Sequence, residues 1–458
     1  MVFSSILFIF RFMPIAFLLY YITPKKFKNF VLLILSLVFY SWGEFRYFPI
    51  MMASIVGNYL IGQGIKRKKD NKSLCKTLLI ISIVFNLGML AFFKYSNFFI
   101  TNINGLLGTV IPLLNIALPL GISFYTFQTM SYTIDVYRGK VEAEDNIITF
   151  GAFVALFPQL IAGPIVKYNE INEALKSRTI TLPQIEEGIF LFVMGMGSKV
   201  LIANNVGLLW DEVVRLGFTE VSSALAWLGV LAYSFQIYFD FSGYSLMAIG
   251  LGKMLGFNFP ANFNYPYISK SATEFWRRWH ITLGSWFREY LYIPLGGNRV
   301  SKVRFIFNTA VVWFCTGFWH GANWNFIFWG MYFFALLMLE KNFLLKYLEK
   351  SKVWSRIYLL TAVMISWAIF AVTDLGQLGN LFTTMFSFRG GSDWGYYLKG
   401  YITTFIFAAV FSTPVIKKWY ERIKHITIVR ILLIGFVFTL SVAYLVDATY
   451  NPFLYFRF

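Results

Sequence analysis

Residues 224–250 read ALAWLGVLAYSFQIYFDFSGYSLMAIG, a run of 27 residues with one formal charge, Asp240. About 20 apolar residues, rising 1.5 Å each as an α-helix, cross a ~30 Å hydrocarbon core. The run is continuously apolar rather than alternating, so it reads as a helix and not as a strand of a membrane barrel. Comparable runs lie near 3–22, 30–42, 47–64, 76–96, 111–134, 147–166, 187–209, 305–319, 322–340, 357–375, 398–416 and 431–448. They predict an all-α, polytopic membrane protein of about 11–13 segments, some of them re-entrant.

Composition agrees. Hydrophobic residues make up 58% of the chain and charged residues 14%, where a soluble domain carries roughly a quarter. The net charge of +18 does not point to nucleic acid. The basic residues sit in short clusters between apolar runs, as in cytoplasmic loops facing an anionic leaflet. Cys75 and Cys315 are too few for a disulfide framework or a cysteine-rich metal site, and are expected to be buried spectators. No linker or internal repeat stands out, which predicts a single membrane domain over 1–458. Met1 to Tyr21 lacks a basic flank and a small-residue cleavage site, so it is expected to be a retained first segment.

The basic clusters Lys25–Lys28, Lys66–Lys69, Lys341–Arg356 and Lys417–Arg430 are expected on the cytoplasmic side, which puts both ends of the chain outside. Three apolar segments lie between Lys69 and the loop at Lys176 and Arg178, an odd number between two cytoplasmic loops. Residues 111–134, with Pro112, Pro119 and Gly121, are the expected broken element.

Residues 258–330 differ from the rest. Asn262, Asn264, Lys270, Glu274, Arg277, Arg278, His280, Arg288 and Glu289 crowd a stretch rich in Trp and Tyr. Polar groups at membrane depth line cavities or paths, although Arg and Trp also favour the interface. The chain has three histidines. His425 sits in a basic loop and reads as solvated. His280 follows Trp276-Arg277-Arg278-Trp279. His320 lies in Thr316-Gly317-Phe318-Trp319-His320-Gly321-Ala322-Asn323-Trp324. A neutral imidazole is a natural general base for a hydroxyl. A histidine among aromatics is also a common packing residue. The adjacent glycines permit close helix approach, and Asn323 or Thr316 could fix the tautomer. No histidine or carboxylate spacing suggests a metal, and no P-loop, nucleophile elbow or dinucleotide fingerprint occurs.

Four motifs carry a resemblance. They are Phe275-Trp276-Arg277-Arg278-Trp279-His280 through Tyr290-Leu291-Tyr292-Ile293-Pro294-Leu295-Gly296-Gly297-Asn298-Arg299, Phe318-Trp319-His320-Gly321, Phe157-Pro158-Gln159-Leu160 through Ile165, and Tyr238-Phe239-Asp240-Phe241-Ser242-Gly243-Tyr244-Ser245. In these the chain resembles the bacterial branch of the membrane-bound O-acyltransferase (MBOAT) family, over nearly its whole length. Within it the chain looks nearest to the polysaccharide O-acetylation proteins. Leu246 departs from the acidic residue usual after the last motif, which leaves a polar contact on that helix in doubt.

The resemblance implies a ring of helices around a funnel or tunnel in a bacterial cytoplasmic membrane. It implies His320 as the catalytic histidine and His280 as the second, nearer the cytoplasmic mouth. Arg277, Arg278, Trp279, Trp319 and Asn323 are then expected to bind the donor or line its path, and acetyl-CoA is the expected donor substrate, with no bound cofactor. The ending Phe453-Leu454-Tyr455-Phe456-Arg457-Phe458, within the 451–458 tail, resembles a hexapeptide acyl relay with Tyr455 as acceptor. A phenol with a pKa near 10 needs a base to attack, and its ester is a good donor. An interfacial aromatic anchor is the plainer reading of the same residues. The family also implies an extracytoplasmic SGNH-type acetyltransferase partner. A D-alanyl transferase fed by a carrier-protein thioester is the rival enzyme, and a glycan-precursor transporter or a silent scaffold the rival classes.

Overall fold

Every regular element among the described residues is a helix. A lipid-facing chain must satisfy its own backbone groups, and the continuous apolar runs have no other way to do so. The computed structural model of the protein describes residues 2–161, 163–447, 451, 452 and 454. Seven helices among them are long and apolar enough to cross a membrane, or eight if one bent pair counts as a single span.

In chain order the helices are α1 (Phe8–Ile22), α2 (Lys28–Glu44), α3 (Phe48–Arg67), α4 (Lys72–Leu107), α5 (Ile122–Tyr137), α6 (Ile147–Ala155), α7 (Phe157–Leu160), α8 (Tyr168–Lys176), α9 (Leu182–Leu216) and α10 (Ser223–Met254). They continue as α11 (Ala272–Trp276), α12 (Ile281–Phe287), α13 (Lys302–His320), α14 (Trp324–Leu348), α15 (Lys352–Ala371), α16 (Leu375–Phe386), α17 (Asp393–Phe411), α18 (Val415–Ile423) and α19 (Thr427–Asp447).

Several expected segments change shape, each for a local reason. The segment expected at 76–96 is the middle of α4, which Asn71 caps at its start and Gly108, at φ 64°, ends. Of the segment expected at 111–134, only the part from Ile122 is helical. Pro112 and Pro119 cannot donate to a helical ladder. Gly121 sits at φ 72°, and a Cβ there would lie 2.5 Å from the Leu160 carbonyl oxygen. The segment expected at 147–166 stops as a helix at Ala155, because Leu156 takes a non-helical conformation before the Phe157-Pro158 start of α7. Helices α2 and α3 meet at Glu44, whose φ of −145° is outside the helical region. Around Pro414, α17 and α18 meet at 71°.

The chain divides into two compact units, Met1–Phe192 with Ser245–Pro260 and Val193–Tyr244 with Ala261–Phe458. In the first, α2 packs on α6, and α3 packs on α4 and α5. Its interior carries a polar chain. The Asn86 amide donates to Asn58 at 2.7 Å, Ser82 meets Thr133 at 2.8 Å, and Thr129 donates to Asn86 at 2.9 Å. Buried amides and hydroxyls are tolerated because they satisfy one another. In the second unit, α13 and α14 form a tight hairpin, α15 packs against α14, and α19 packs against residues 198–203 of α9. Both histidines of the 258–330 region belong to this second unit.

Candidate active site

The α13–α14 hairpin is set by two glycines. A Cβ at Gly317 would stand 2.2 Å from the Phe326 carbonyl oxygen, and one at Gly330 would stand 2.3 Å from the Trp313 carbonyl oxygen. Only hydrogen fits, so the two backbones touch. Residues Gly321, Ala322 and Asn323 make the turn, and His320 is the last residue of α13. Its imidazole is buried edge-on between Trp329, 5.0 Å away between ring centres, and Phe370, 5.3 Å away. Asn325 donates from Nδ2 to the Ile369 and Phe370 carbonyls, each at 3.1 Å. That pair of bonds ties the end of α15, and with it Phe370, to the start of α14.

His280 sits in the connection between α10 and α13. Two backbone hydrogen bonds pin this connection: the Ile281 amide donates to the Asn262 carbonyl at 2.9 Å, and the Asn264 amide to the Arg278 carbonyl at 2.9 Å. Between them His280 takes a left-handed conformation, φ 45° and ψ 53°. Such a conformation costs a non-glycine residue about 1–3 kcal/mol and persists only where surrounding contacts enforce it.

The tautomer of His280 follows from Asn262. The Thr282 backbone amide, which can only donate, donates to Asn262 Oδ1 at 3.3 Å, and the Thr282 hydroxyl lies 2.9 Å from the same atom. That assigns the oxygen of the amide. His280 Nδ1, 3.1 Å from Oδ1, must therefore carry the proton. Nε2 is left with its lone pair, buried and without a hydrogen-bond partner among the described residues. Burial also pushes the imidazole from its ordinary 6.5 down to about 3. The unfolded chain would then bind a proton that the folded chain refuses, so this residue makes stability fall as pH drops from 6.5 toward 3. In His280→Gln the thermal midpoints at about pH 7.5 and about pH 5 should lie closer together than in the parent chain.

The two histidines flank one ring. His280 lies 6.1 Å from Trp319 and 4.7 Å from Phe241, and Trp319 lies 5.1 Å from His320, all between ring centres. Trp279 is buried 4.8 Å from Trp367. Trp276 packs 4.8 Å from both Trp313 and Phe333, which seats α11 across the hairpin.

The arginines divide. Arg278 is committed: it pairs with Glu274 at 2.9 Å and donates to the Asn264 carbonyl at 3.1 Å. Arg277 is exposed. Asn323 is exposed at the turn, and the Thr316 hydroxyl donates to the Val312 carbonyl at 2.7 Å. His280, His320, Trp279 and Trp319 thus come together, while Arg277 and Asn323 lie at a surface. Tyr455 lies outside the described residues.

Two further buried charged features shape the second unit. Glu340 is fully buried and accepts from the Ala272 and Thr273 amides at 2.5 and 2.9 Å, from the Thr273 hydroxyl at 2.7 Å and from the Tyr358 hydroxyl at 3.2 Å. It locks the start of α11 to α14 and α15. Next to Lys341, it passes for part of a basic loop. Lys199 and Asp240 form a buried ion pair at 2.7 Å. Each is isolated in the middle of an apolar run, and two opposite charges so placed in consecutive runs are a readable sign of pairing.

The model of the membrane-bound O-acyltransferase family matches residues 142–375, just over half of the chain and both histidines. The probable alginate O-acetylase of Azotobacter vinelandii is 42% identical over 399 residues, 86% of this chain and 79% of the relative. The chain belongs to the membrane-bound O-acyltransferase family. The peptidoglycan O-acetyltransferase of Helicobacter pylori is 39% identical over 366 residues, 72% of this chain and 68% of the relative. The teichoic acid D-alanyltransferase of Streptococcus thermophilus matches at 30% over 244 residues, 50% of this chain and 58% of the relative. The family makes the chain an acyltransferase, and its apolar helices make it a multi-pass membrane protein. For an acyltransferase the buried imidazoles of the second unit are candidate general bases.

Proposed function

We propose that the chain transfers an acetyl group from acetyl-CoA, on the cytoplasmic side of a bacterial cell membrane, toward an extracytoplasmic polysaccharide. The observation that carries this reading is the placing of His320 and His280 on either side of Trp319, in an interior where one imidazole keeps a bare Nε2. His320 takes the proton of an acceptor hydroxyl as the oxygen attacks the thioester carbonyl carbon. The C–O bond forms, the C–S bond breaks, and the proton passes to the departing thiolate. His280 Nε2 accepts a hydrogen bond from an N–H or O–H group of the bound reactants. Arg277, exposed beside the site, attracts the anionic end of the donor. The greater identity to alginate and peptidoglycan O-acetylating relatives than to the D-alanyltransferase supports acetyl and a glycan acceptor.

In this reading Tyr455 is the first acceptor, and an SGNH-type partner outside the membrane passes the acetyl group on to an alginate-like polymer, peptidoglycan or another cell-surface glycan. Both chain ends then face the outside, as the basic clusters imply. The test is intact-protein mass spectrometry after incubating the purified chain with labelled acetyl-CoA. The expected result is a single acetyl increment on Tyr455, absent from Tyr455→Phe. Thioester consumption without any adduct, and only when partner is added, would make Tyr455 an interfacial anchor. Consumption of a carrier-protein thioester but not of acetyl-CoA would favour the D-alanyl reading.

A further inference from the structure

Lys199 in α9 and Asp240 in α10 are 1% and 4% exposed, with Nζ and Oδ1 2.7 Å apart. Taking two charges out of water costs several kcal/mol each and is sustained only where the remaining donors and lone pairs are used. They are used on one short segment of the same unit. Lys199 Nζ donates to Asn204 Oδ1 at 2.6 Å and to the Pro452 carbonyl. Asp240 Oδ2 accepts from the Leu454 amide at 2.9 Å. Asn204 Nδ2 donates to Asn451 Oδ1 at 3.2 Å. Leu454 is itself buried. Three polar side chains from two helices therefore hold Asn451, Pro452 and Leu454, two of them by backbone atoms.

The position of this grip is informative. Phe241, next to Asp240, has its ring 4.7 Å from His280. The grip on Leu454 is thus one residue along α10 from a side chain that packs on the second histidine. Leu454 is thus anchored to the same stretch of α10 that carries Phe241. The residue that follows is Tyr455.

We propose that Lys199, Asp240 and Asn204 form a docking clamp for Asn451, Pro452 and Leu454, and that the clamp positions Tyr455 for acyl transfer. The docking half stands on the contacts above. The positioning half rests on the relay reading of Tyr455. In chemical terms the clamp takes a peptide backbone: its ammonium reads a carbonyl oxygen, its carboxylate reads an amide two residues on, and its amide side chain reads the Asn451 amide. Lys199, Asp240 and Asn204 are positioning residues and take no part in bond making.

The test uses the full chain in lipid nanodiscs. Asn204→Ala removes its contacts to Lys199 and Asn451 and leaves the ion pair. Lys199→Met with Asp240→Leu removes both charges together, so that neither is left buried and alone. Hydrogen exchange over 448–458, acetyl transfer to Tyr455 and the thermal midpoint are followed in each. In the double variant exchange at Leu454 should quicken about tenfold or more, as expected when a local structure opens more readily. Transfer should fall about 100-fold, the usual effect of a misplacement near 1 Å, with an unchanged KM for acetyl-CoA. Asn204→Ala should shift both in the same direction by less. Unchanged exchange in both variants, with a parent-like thermal midpoint, would overturn the clamp. Faster exchange with unchanged transfer would overturn the positioning half. If Tyr455 takes no acetyl group even in the parent chain, the relay reading fails and the positioning half with it, while the exchange data still decide the clamp.

Discussion

His320→Ala should reduce acetyl transfer by about 10²–10⁴-fold, the range for loss of a positioned general base. That corresponds to about 3–5 kcal/mol of barrier. The imidazole is the last side chain of α13, held edge-on between Trp329 and Phe370. In the proposed mechanism its removal would leave the acceptor hydroxyl to attack with its proton still bound. A buried ring is also lost, so part of any effect could come from packing. His320→Gln separates the two: it fills much of the volume and cannot serve as a base at neutral pH. Both variants should bind acetyl-CoA with near-parental affinity and turn it over at the same low rate. The measurement is single-turnover transfer beside a thermal midpoint. A parental rate in His320→Gln, in protein of parental stability, would remove His320 from the chemistry and return the scaffold and transporter readings to first place.

How much of this arrangement the sequence discloses depends on range. Lipid exposure is written residue by residue, and the apolar runs around α10, α15 and α19 match helices closely. Helix ends follow chemistry that is local but easily missed within an apolar run. Asn71 and Gly108 extend α4 beyond 76–96 at both ends, while Leu156 cuts α6 short of 166. The histidines stand out because imidazoles are scarce in the chain. Their environment does not, because it is built from partners far apart in sequence. Asn262 sets the tautomer of His280 from 18 positions away. Glu340 reaches back 68 positions to cap α11. Lys199 meets Pro452 across 253 positions. Asn323, in the turn, looks like a tautomer-setting neighbour of His320 in the sequence, yet it is exposed and its side chain does not cap α14.

Gly317→Ala should damage stability and transfer together. The added methyl would lie 2.2 Å from the Phe326 carbonyl oxygen and 3.2 Å from the Gly330 Cα, both backbone atoms of α14 that no rotamer change can move aside. Relief requires the hairpin to open. Overpacking of this kind costs about 1–3 kcal/mol, and interhelical contact in a bilayer has little hydrophobic driving force to oppose it. Opening also carries Trp329 away from His320, because Gly330 and Trp329 are neighbours on the same turn of α14. A displacement near 1 Å is enough to lower transfer by about 100-fold. Gly330→Ala should act alike, and the two should not add, since either one already parts the same contact. Gly435→Ala in α19 is the contrast, because nothing lies within 4 Å of the added Cβ. There alanine should be neutral or stabilising by up to about 1 kcal/mol through helix propensity alone. Thermal midpoints in detergent, read beside single-turnover transfer, check all three. If Gly317→Ala kept both at parental values, the hairpin would not be the rigid mount for His320 that its two touching backbones imply.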